Sequence, residues 1–257
     1  MTHWTIYQAG LVAMLYLALA GWVLSLVRDN VGHASSIWPL SIGMAAYCYA
    51  LFFYELHART LLVLILVGFW AIRLSIYLAL RDFAKEEDFR YASIRKTQQP
   101  FFWLSSILNI FVLQALCAWL VSMPLFFAIE NNAPLSYFDY VGSAMVIFGV
   151  MLESIADAQL ATFKQNTQQQ NIVMQRGLWQ YCRHPNYVGE CCVWWGFYYI
   201  ALAANAWWSV ISPVIIILLV FKWHGIPHIE KRMLAQYSEY RNYMQSTPTF
   251  LPNFFKK

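Results

Sequence analysis

Four ionisable side chains stand inside long apolar stretches of this sequence: Arg73, Glu153, Asp157 and Glu190. Glu153 and Asp157 lie four residues apart, so in a helix they share one face, which Lys164 continues two turns later. Two neighbouring carboxylates suit a ligand rich in hydroxyl and amide donors, and nearby bases suit one that also carries phosphate or carboxylate. The alternative is that these charges satisfy one another as structural ion pairs.

The segment 177–190 adds a second group of candidate ligand-binding residues. Pro185 fits the first turn of a helix, because it has no amide hydrogen to lose. Arg183 and His184 would then precede that helix, at the positive end of its dipole, where anions bind. Arg176 lies in the loop ahead of them. The segment therefore predicts an anion site, and basic residues that merely flank a helix are the alternative.

The elements that carry these residues are predicted to be membrane helices. Of the 257 residues, 60% are hydrophobic and 12% are charged, which excludes a soluble globular domain, a disordered chain and a coiled coil. A helix needs about 20 mostly apolar residues to cross a bilayer. Seven stretches qualify: 4–27, 36–54, 61–80, 101–127, 137–163, 187–204 and 207–223. They predict one integral membrane domain over residues 1–257.

The distribution of basic residues predicts the orientation of the chain. Of its 17 Lys and Arg residues, all except Arg59 and Arg73 fall in the segments on one side of the seven spans. By the positive-inside rule this side, with the C-terminus, is cytoplasmic, and the N-terminus is outside. The net charge of +4 then reflects the excess of Lys and Arg on the cytoplasmic side of the membrane, so we expect no nucleic-acid partner.

Several familiar kinds of site are missing from the sequence. His224, His228 and Glu230 are close together, but Pro227 interrupts the helix that would align them, so we predict no metal. No C-x-x-C pair, G-x-G-x-x-G, Walker A or G-x-S-x-G motif occurs. A bound nucleotide would therefore be held by side chains of the helices themselves.

The run GLWQYCRHPNYVGE at 177–190 resembles the signature of the steroid 5-alpha-reductase superfamily, and the chain more closely resembles its bacterial DUF1295 branch. The resemblance covers roughly residues 61–252. It includes the further segments 73–75, 87–91, 153–160 and 230–252. The Arg-His-Pro-x-Tyr element also occurs in isoprenylcysteine carboxyl methyltransferases and related phospholipid methyltransferases.

The resemblance implies an all-α polytopic membrane protein, a seven-helix bundle whose cytosol-facing cavity holds NADPH, in a bacterial inner membrane. It implies an NADPH-dependent oxidoreductase of the 3-oxo-5-alpha-steroid 4-dehydrogenase type, which transfers hydride to the activated C=C bond of a lipid-soluble enone. The alternatives are an S-adenosylmethionine-dependent methyltransferase of a lipid or lipidated substrate, and a lipid-binding or transport protein. Expected partners are membrane lipids and the lipid-soluble substrate, with the protein a monomer or weak homo-oligomer.

The resemblance and the charge pattern together predict the site residues. The residues expected to bind the cofactor are Arg73, Glu153, Asp157, Lys164, Arg176, Arg183, His184, Asn186, Tyr187 and Glu190. Glu153 stands where the steroid enzymes often have Asn. The candidate catalytic residues at the substrate end are Glu55, Tyr77 and Tyr91. Glu55 follows Tyr54 where the steroid enzymes have a Gln-Glu pair, so this end departs from the steroid pattern.

Overall fold

The computed structural model describes residues 2–53, 56–82, 87, 89–166, 172–223 and 225–250, and these residues form helices and turns without any strand. Glu55 lies outside the described residues. The α-helices in chain order are α1 (His3–Arg28), α2 (Ala34–Ala50), α3 (Ala58–Asp82), α4 (Phe89–Gln98), α5 (Phe102–Ser106), α6 (Leu113–Val121), α7 (Met123–Glu130), α8 (Tyr137–Gln165), α9 (Pro185–Ala203), α10 (Ile211–Leu218), α11 (Ile226–Gln236) and α12 (Tyr240–Ser246). π-helical turns join α5 to α6 and extend α10, and a 3-10 helix, Gly177–Gln180, precedes α9.

Among the described residues, five helical stretches are long and apolar enough to cross a membrane. They are His3–Arg28, Ala58–Asp82, Phe102–Val121, Tyr137–Gln165 and Trp207–Gln236. Only 28–44% of their apolar windows is buried inside the protein, so most of each apolar surface faces outward. Outward apolar surface on this scale is typical of helices that contact lipid. The chain is thus an all-helical integral membrane protein, as its composition predicted.

The other two predicted spans are also helical. With 17 residues, α2 spans about 26 Å at 1.5 Å per residue, which is shorter than a typical hydrocarbon core. The α9 helix carries Asn186 and Glu190 in its first turns and is not among the five long apolar stretches. The count of seven spans therefore stays a prediction. One predicted span is broken, because a helix ends at Val121 and α7 begins with Pro124 in its first turn.

The chain divides into two compact units. The first comprises Met1–Tyr140 and Ile200–Ser212. Within it Tyr7 and Trp119 stack at 4.5 Å and each donates a hydrogen bond to the other's carbonyl oxygen. Arg59 donates from Nε and Nη2 to the two carboxylate oxygens of Asp139, at 2.7 and 2.9 Å, and both side chains are buried. This ion pair ties the start of α3 to the start of α8.

The second unit comprises Val141–Tyr199 and Pro213–Lys257 and holds most of the predicted cofactor residues. Its helices α8 and α9 pack closely through glycines. The C-terminal tail, which we define as residues 226–250, folds into α11 and α12, and Tyr240 and Tyr243 are buried against Val173. The backbone is extended at Tyr237, which separates the two helices.

Candidate cofactor site

Two pairs of glycines bring α8 and α9 into backbone contact. A Cβ atom placed on Gly149 would lie 2.6 Å from the carbonyl oxygen of Gly189, and one on Gly189 would lie 2.6 Å from that of Gly149. One helical heptad away, a Cβ on Gly196 would lie 2.6 Å from the carbonyl oxygen of Gly142. Small residues at such spacing let membrane helices approach closely. The polar residues near Gly149 and Gly189 are therefore held between two closely packed backbones.

The first polar group in this contact is the pair Asp157 and Asn186. Asn186 Nδ2 donates a hydrogen bond of 3.4 Å to Asp157 Oδ1. Asp157 and Glu153 are 3% and 4% exposed, so both carboxylates of α8 are buried, and Gly189 packs against Glu153. The structure thus brings together Asp157 and Asn186, which the sequence placed in one site from segments 29 residues apart.

Glu190 lies one turn further along α9 and has a partner on its own helix. Its Oε1 accepts a hydrogen bond of 3.0 Å from the indole Nε1 of Trp194, which is buried. An indole N–H is a donor only, so this contact orients the carboxylate without neutralising it. Trp194 was not predicted as a site residue.

Arg183 binds the C-terminal tail. Its Nε donates to Glu230 Oε1 at 2.7 Å, and Nη1 donates to the carbonyl oxygens of Met244 and Thr247 at 3.0 and 2.6 Å. Nη2 donates to Thr249 Oγ1 at 2.6 Å, and the Arg183 side chain is buried. Every nitrogen of the guanidinium is therefore bonded to the tail. These bonds position the tail, and the anion contact predicted for Arg183 from the sequence stays a prediction.

His184 caps the N-terminus of α9. Its carbonyl oxygen accepts from the backbone N–H groups of Tyr187 and Val188, and Pro185 begins the helix as predicted. The His184 ring is buried, stacks on the Tyr187 ring at 5.8 Å, and places Nε2 3.0 Å from Glu230 Oε1. Next to it, burial raises the pKa of the Cys182 thiol to about 11, so this thiol is neutral at pH 7.

The 3-10 helix ahead of α9 is fastened to α8 by Gln159. Gly177 has a φ of +62°, and a Cβ there would meet the Gln159 amide at 2.5 Å. Gln159 Oε1 accepts from the Leu178 N–H at 2.9 Å, and Trp179 Nε1 donates to the carbonyl oxygen of Ala156 at 3.1 Å. Burial raises the pKa of the Tyr243 phenol, which keeps its hydrogen and donates it to the Trp179 carbonyl oxygen.

Two of the residues predicted to bind the cofactor are basic and exposed at the surface of this unit. Lys164 is exposed near the end of α8, and Arg176 is exposed directly before the 3-10 helix. Solvent-exposed cations at the rim of a site are suited to a phosphate that reaches it from water.

The remaining predicted residues belong to the first unit. Arg73 and Tyr77 are half-buried, one turn apart on α3, and Tyr91 is half-buried on α4. The prediction that these residues face the same cavity as Asp157 stays a prediction. In the first unit a cavity of about 50 Å³ lies between Arg28, Asn30, His33, Ser36, Ala79 and Asp82. Ligand pockets occupy about 300–1,000 Å³, so this cavity has room for water but not for a dinucleotide.

A family model described as "Protein of unknown function (DUF1295)" matches residues 21–247. The chain belongs to the DUF1295 family. An uncharacterized protein of Schizosaccharomyces pombe is 22% identical to this DUF1295 chain. The alignment covers 96% of the chain and 79% of the yeast protein. No solved structure matches the chain significantly.

Three contacts of this DUF1295 site were missed by the sequence reasoning. Glu230 was considered as a possible metal ligand, but it binds Arg183 and His184. Gln159 lies in segment 153–160, which is part of the family resemblance, so the sequence did point to this region. The carbonyl oxygens that accept from Arg183 left no signal, because any residue type supplies a carbonyl.

Proposed function

We propose that this DUF1295 protein is a membrane-embedded reductase that uses NADPH to reduce the activated C=C bond of a lipid-soluble substrate. The observation that carries the proposal is the Asp157–Asn186 pair beside buried Glu153, where α8 and α9 are in backbone contact. Ionisable groups inside membrane helices are costly and mark ligand or ion sites by default. The family resemblance supplies the cofactor class.

Different residues of the second unit bind different parts of the cofactor. Asp157 and Glu153 accept hydrogen bonds from ribose hydroxyl groups, and the Asn186 amide complements an amide or hydroxyl of the ligand. Lys164 and Arg176 bind the 2′-phosphate at the exposed edge. Bound there, NADPH would supply the hydride that reduces the C=C bond of the enone. Glu55, Tyr77 and Tyr91 are the candidates for polarising the ketone oxygen, which stabilises the developing enolate.

The proposed topology follows from the charge pattern. Seven helices cross the membrane, with α2 and α9 as the two spans besides the five long apolar stretches. The N-terminus is outside and the C-terminus is cytoplasmic, in a bacterial inner membrane. This orientation places Lys164, Arg176 and the tail on the side where NADPH is present.

Asp157→Ala and Asn186→Ala test the carboxylate–amide pair. Each removes hydrogen bonds to a charged or buried group, which are worth about 1.5–3 kcal/mol, so NADPH affinity should fall about 10- to 100-fold. Ser154→Ala is the matched control, because the Ser154 hydroxyl donates to the Val150 carbonyl oxygen of its own helix. Fluorescence titration of purified protein in detergent measures each affinity. Unchanged NADPH affinity in both variants, with Ser154→Ala also unchanged, would remove this pair from the site.

Lys164→Ala and Arg176→Ala test the phosphate contacts. Both substitutions should weaken the binding of NADPH without changing the affinity for NADH, because NADH lacks the 2′-phosphate. Lys231→Ala is the control, since it removes an equal exposed charge from the tail of the same unit. Equal losses for NADPH and NADH, or an equal loss in Lys231→Ala, would mean that these cations act only through general attraction.

The second candidate function is an S-adenosylmethionine-dependent membrane methyltransferase. The contact of Glu230 with Arg183 and His184 favours it, because the methyltransferases that share the Arg-His-Pro-x-Tyr element commonly carry a Glu-Glu pair in the tail. Here Lys231 follows Glu230, so the second acid is missing. Saturable binding of S-adenosylmethionine, with none of NADPH, would select this function over the reductase.

A further inference from the structure

The Glu230 carboxylate joins two residues of the Arg-His-Pro segment to α11. Its Oε1 accepts a hydrogen bond from Arg183 Nε at 2.7 Å and lies 3.0 Å from His184 Nε2. The side chains of Arg183, His184 and Glu230 are only 6%, 5% and 12% exposed. This geometry is defined by direct contacts within the second unit.

These contacts place a hydrogen on Nε2 of His184. A guanidinium is charged at every accessible pH and favours the charged form of a carboxylate beside it. An ionised carboxylate has acceptors only, so the hydrogen in the 3.0 Å contact must belong to His184 Nε2. In a neutral imidazole with hydrogen on Nε2, Nδ1 is an acceptor. Stacking on Tyr187 holds the plane of this ring.

We propose that Glu230 is a positioning residue that holds His184 in the tautomer with hydrogen on Nε2, so that Nδ1 accepts a hydrogen bond from a hydroxyl group of the cofactor. This inference rests on the proposed function, and it revises the role that the sequence predicted for His184. A neutral ring with a lone pair on Nδ1 repels a phosphate oxygen and attracts a hydroxyl. His184 therefore selects the ribose part of a nucleotide, and the phosphate is left to the exposed cations.

The tautomer is measured without any cofactor. Protein labelled with ¹⁵N-histidine in detergent gives long-range proton–nitrogen spectra that distinguish hydrogen on Nε2 from hydrogen on Nδ1. Among the six histidines of the chain, the His184 signals are those that disappear in His184→Gln. We expect wild-type protein to show hydrogen on Nε2, Glu230→Ala to lose this preference, and Glu230→Gln to keep it, because the amide oxygen of Gln is also an acceptor.

Rescue by Gln separates positioning from folding. Glu239→Ala is the matched control, because it removes an exposed tail carboxylate that makes no capping hydrogen bond to α12. NADPH affinity should fall about tenfold in Glu230→Ala, in line with one lost buried hydrogen bond, and stay within about threefold in Glu230→Gln and Glu239→Ala.

The outcomes separate the two proposals. A His184 spectrum that is the same in Glu230→Ala as in the wild type overturns the inference regardless of the NADPH affinities. Wild-type hydrogen on Nδ1, alone or together with hydrogen on Nε2, also overturns it. A tautomer that follows Glu230 while no variant binds NADPH overturns the proposed function and the hydroxyl assignment with it. A tautomer and an NADPH affinity that both follow Glu230, with rescue by Gln, support both proposals.

Discussion

Replacing Gly189 by alanine places a methyl group in the contact between α8 and α9. The new Cβ would lie 2.6 Å from the Gly149 carbonyl oxygen and 2.8 Å from the Glu153 backbone nitrogen. Both are backbone atoms, which cannot turn aside as a side chain does. Since ordinary contact begins at 3.4 Å, the helices must separate locally by about 0.8 Å.

This separation has two consequences of known size. Overpacking costs about 1–3 kcal/mol of stability. The hydrogen bond from Asn186 to Asp157 is already 3.4 Å long, so a further separation of this size breaks it. The same movement displaces the side chains proposed to bind NADPH. Losing one hydrogen bond between a charged group and the ligand, worth about 1.5–3 kcal/mol, would lower NADPH affinity about 10- to 100-fold.

Gly196→Ala is the matched control for this experiment. Its Cβ would lie 2.6 Å from the Gly142 carbonyl oxygen, so the packing cost is similar, but the site is one heptad, about 10 Å, further along α9. Thermal unfolding in detergent should therefore show similar losses of stability for both variants, whereas only Gly189→Ala should lose NADPH affinity. Equal NADPH affinities in the two variants would refute the coupling between the glycine contact and the site.

Three further predictions concern ion pairing, thiol chemistry and the tail. Arg59→Ala should destabilise the protein by about 3–5 kcal/mol in thermal or denaturant unfolding, because it leaves Asp139 buried without its partner; a loss under 1 kcal/mol would contradict this. Burial raises the pKa of Cys182 to about 11, so its thiol should resist maleimide at pH 7 until the protein unfolds, and rapid labelling of folded protein would show otherwise. Arg183→Lys should make residues 244–249 exchange amide hydrogen at least tenfold faster, because one ammonium cannot replace hydrogen bonds from three guanidinium nitrogens; unchanged exchange would mean that other contacts hold the tail.

Much of the helical framework follows from local sequence alone. The apolar stretch 4–27 became α1, and the stretch 137–163 became α8, each within two residues at either end. Pro185 marked the start of α9 because a proline loses nothing at a first turn. These features depend on residues that are neighbours in the chain, so they can be predicted from composition and spacing.

The contacts that shape the site depend on distant residues and on backbone atoms. A glycine in an apolar run does not reveal its partner, so the pairing of Gly149 with Gly189 was not predictable from one sequence. The basic character of Arg183 suggested an anion, but its partners are a carboxylate 47 residues away and tail carbonyl oxygens more than 60 residues away. Asp157 and Asn186 were placed in one site because the family resemblance linked the two segments, but their direct hydrogen bond was not predicted.

The central claim is that the second unit binds NADPH, and a parallel titration of wild-type protein with NADPH, NADH and S-adenosylmethionine tests it most directly. Twelve tryptophans make energy transfer to the nicotinamide a sensitive signal, and a thermal shift reports all three ligands. We predict saturable binding of NADPH that is tighter than that of NADH and S-adenosylmethionine. Binding of S-adenosylmethionine alone, or of none of the three, would contradict the claim.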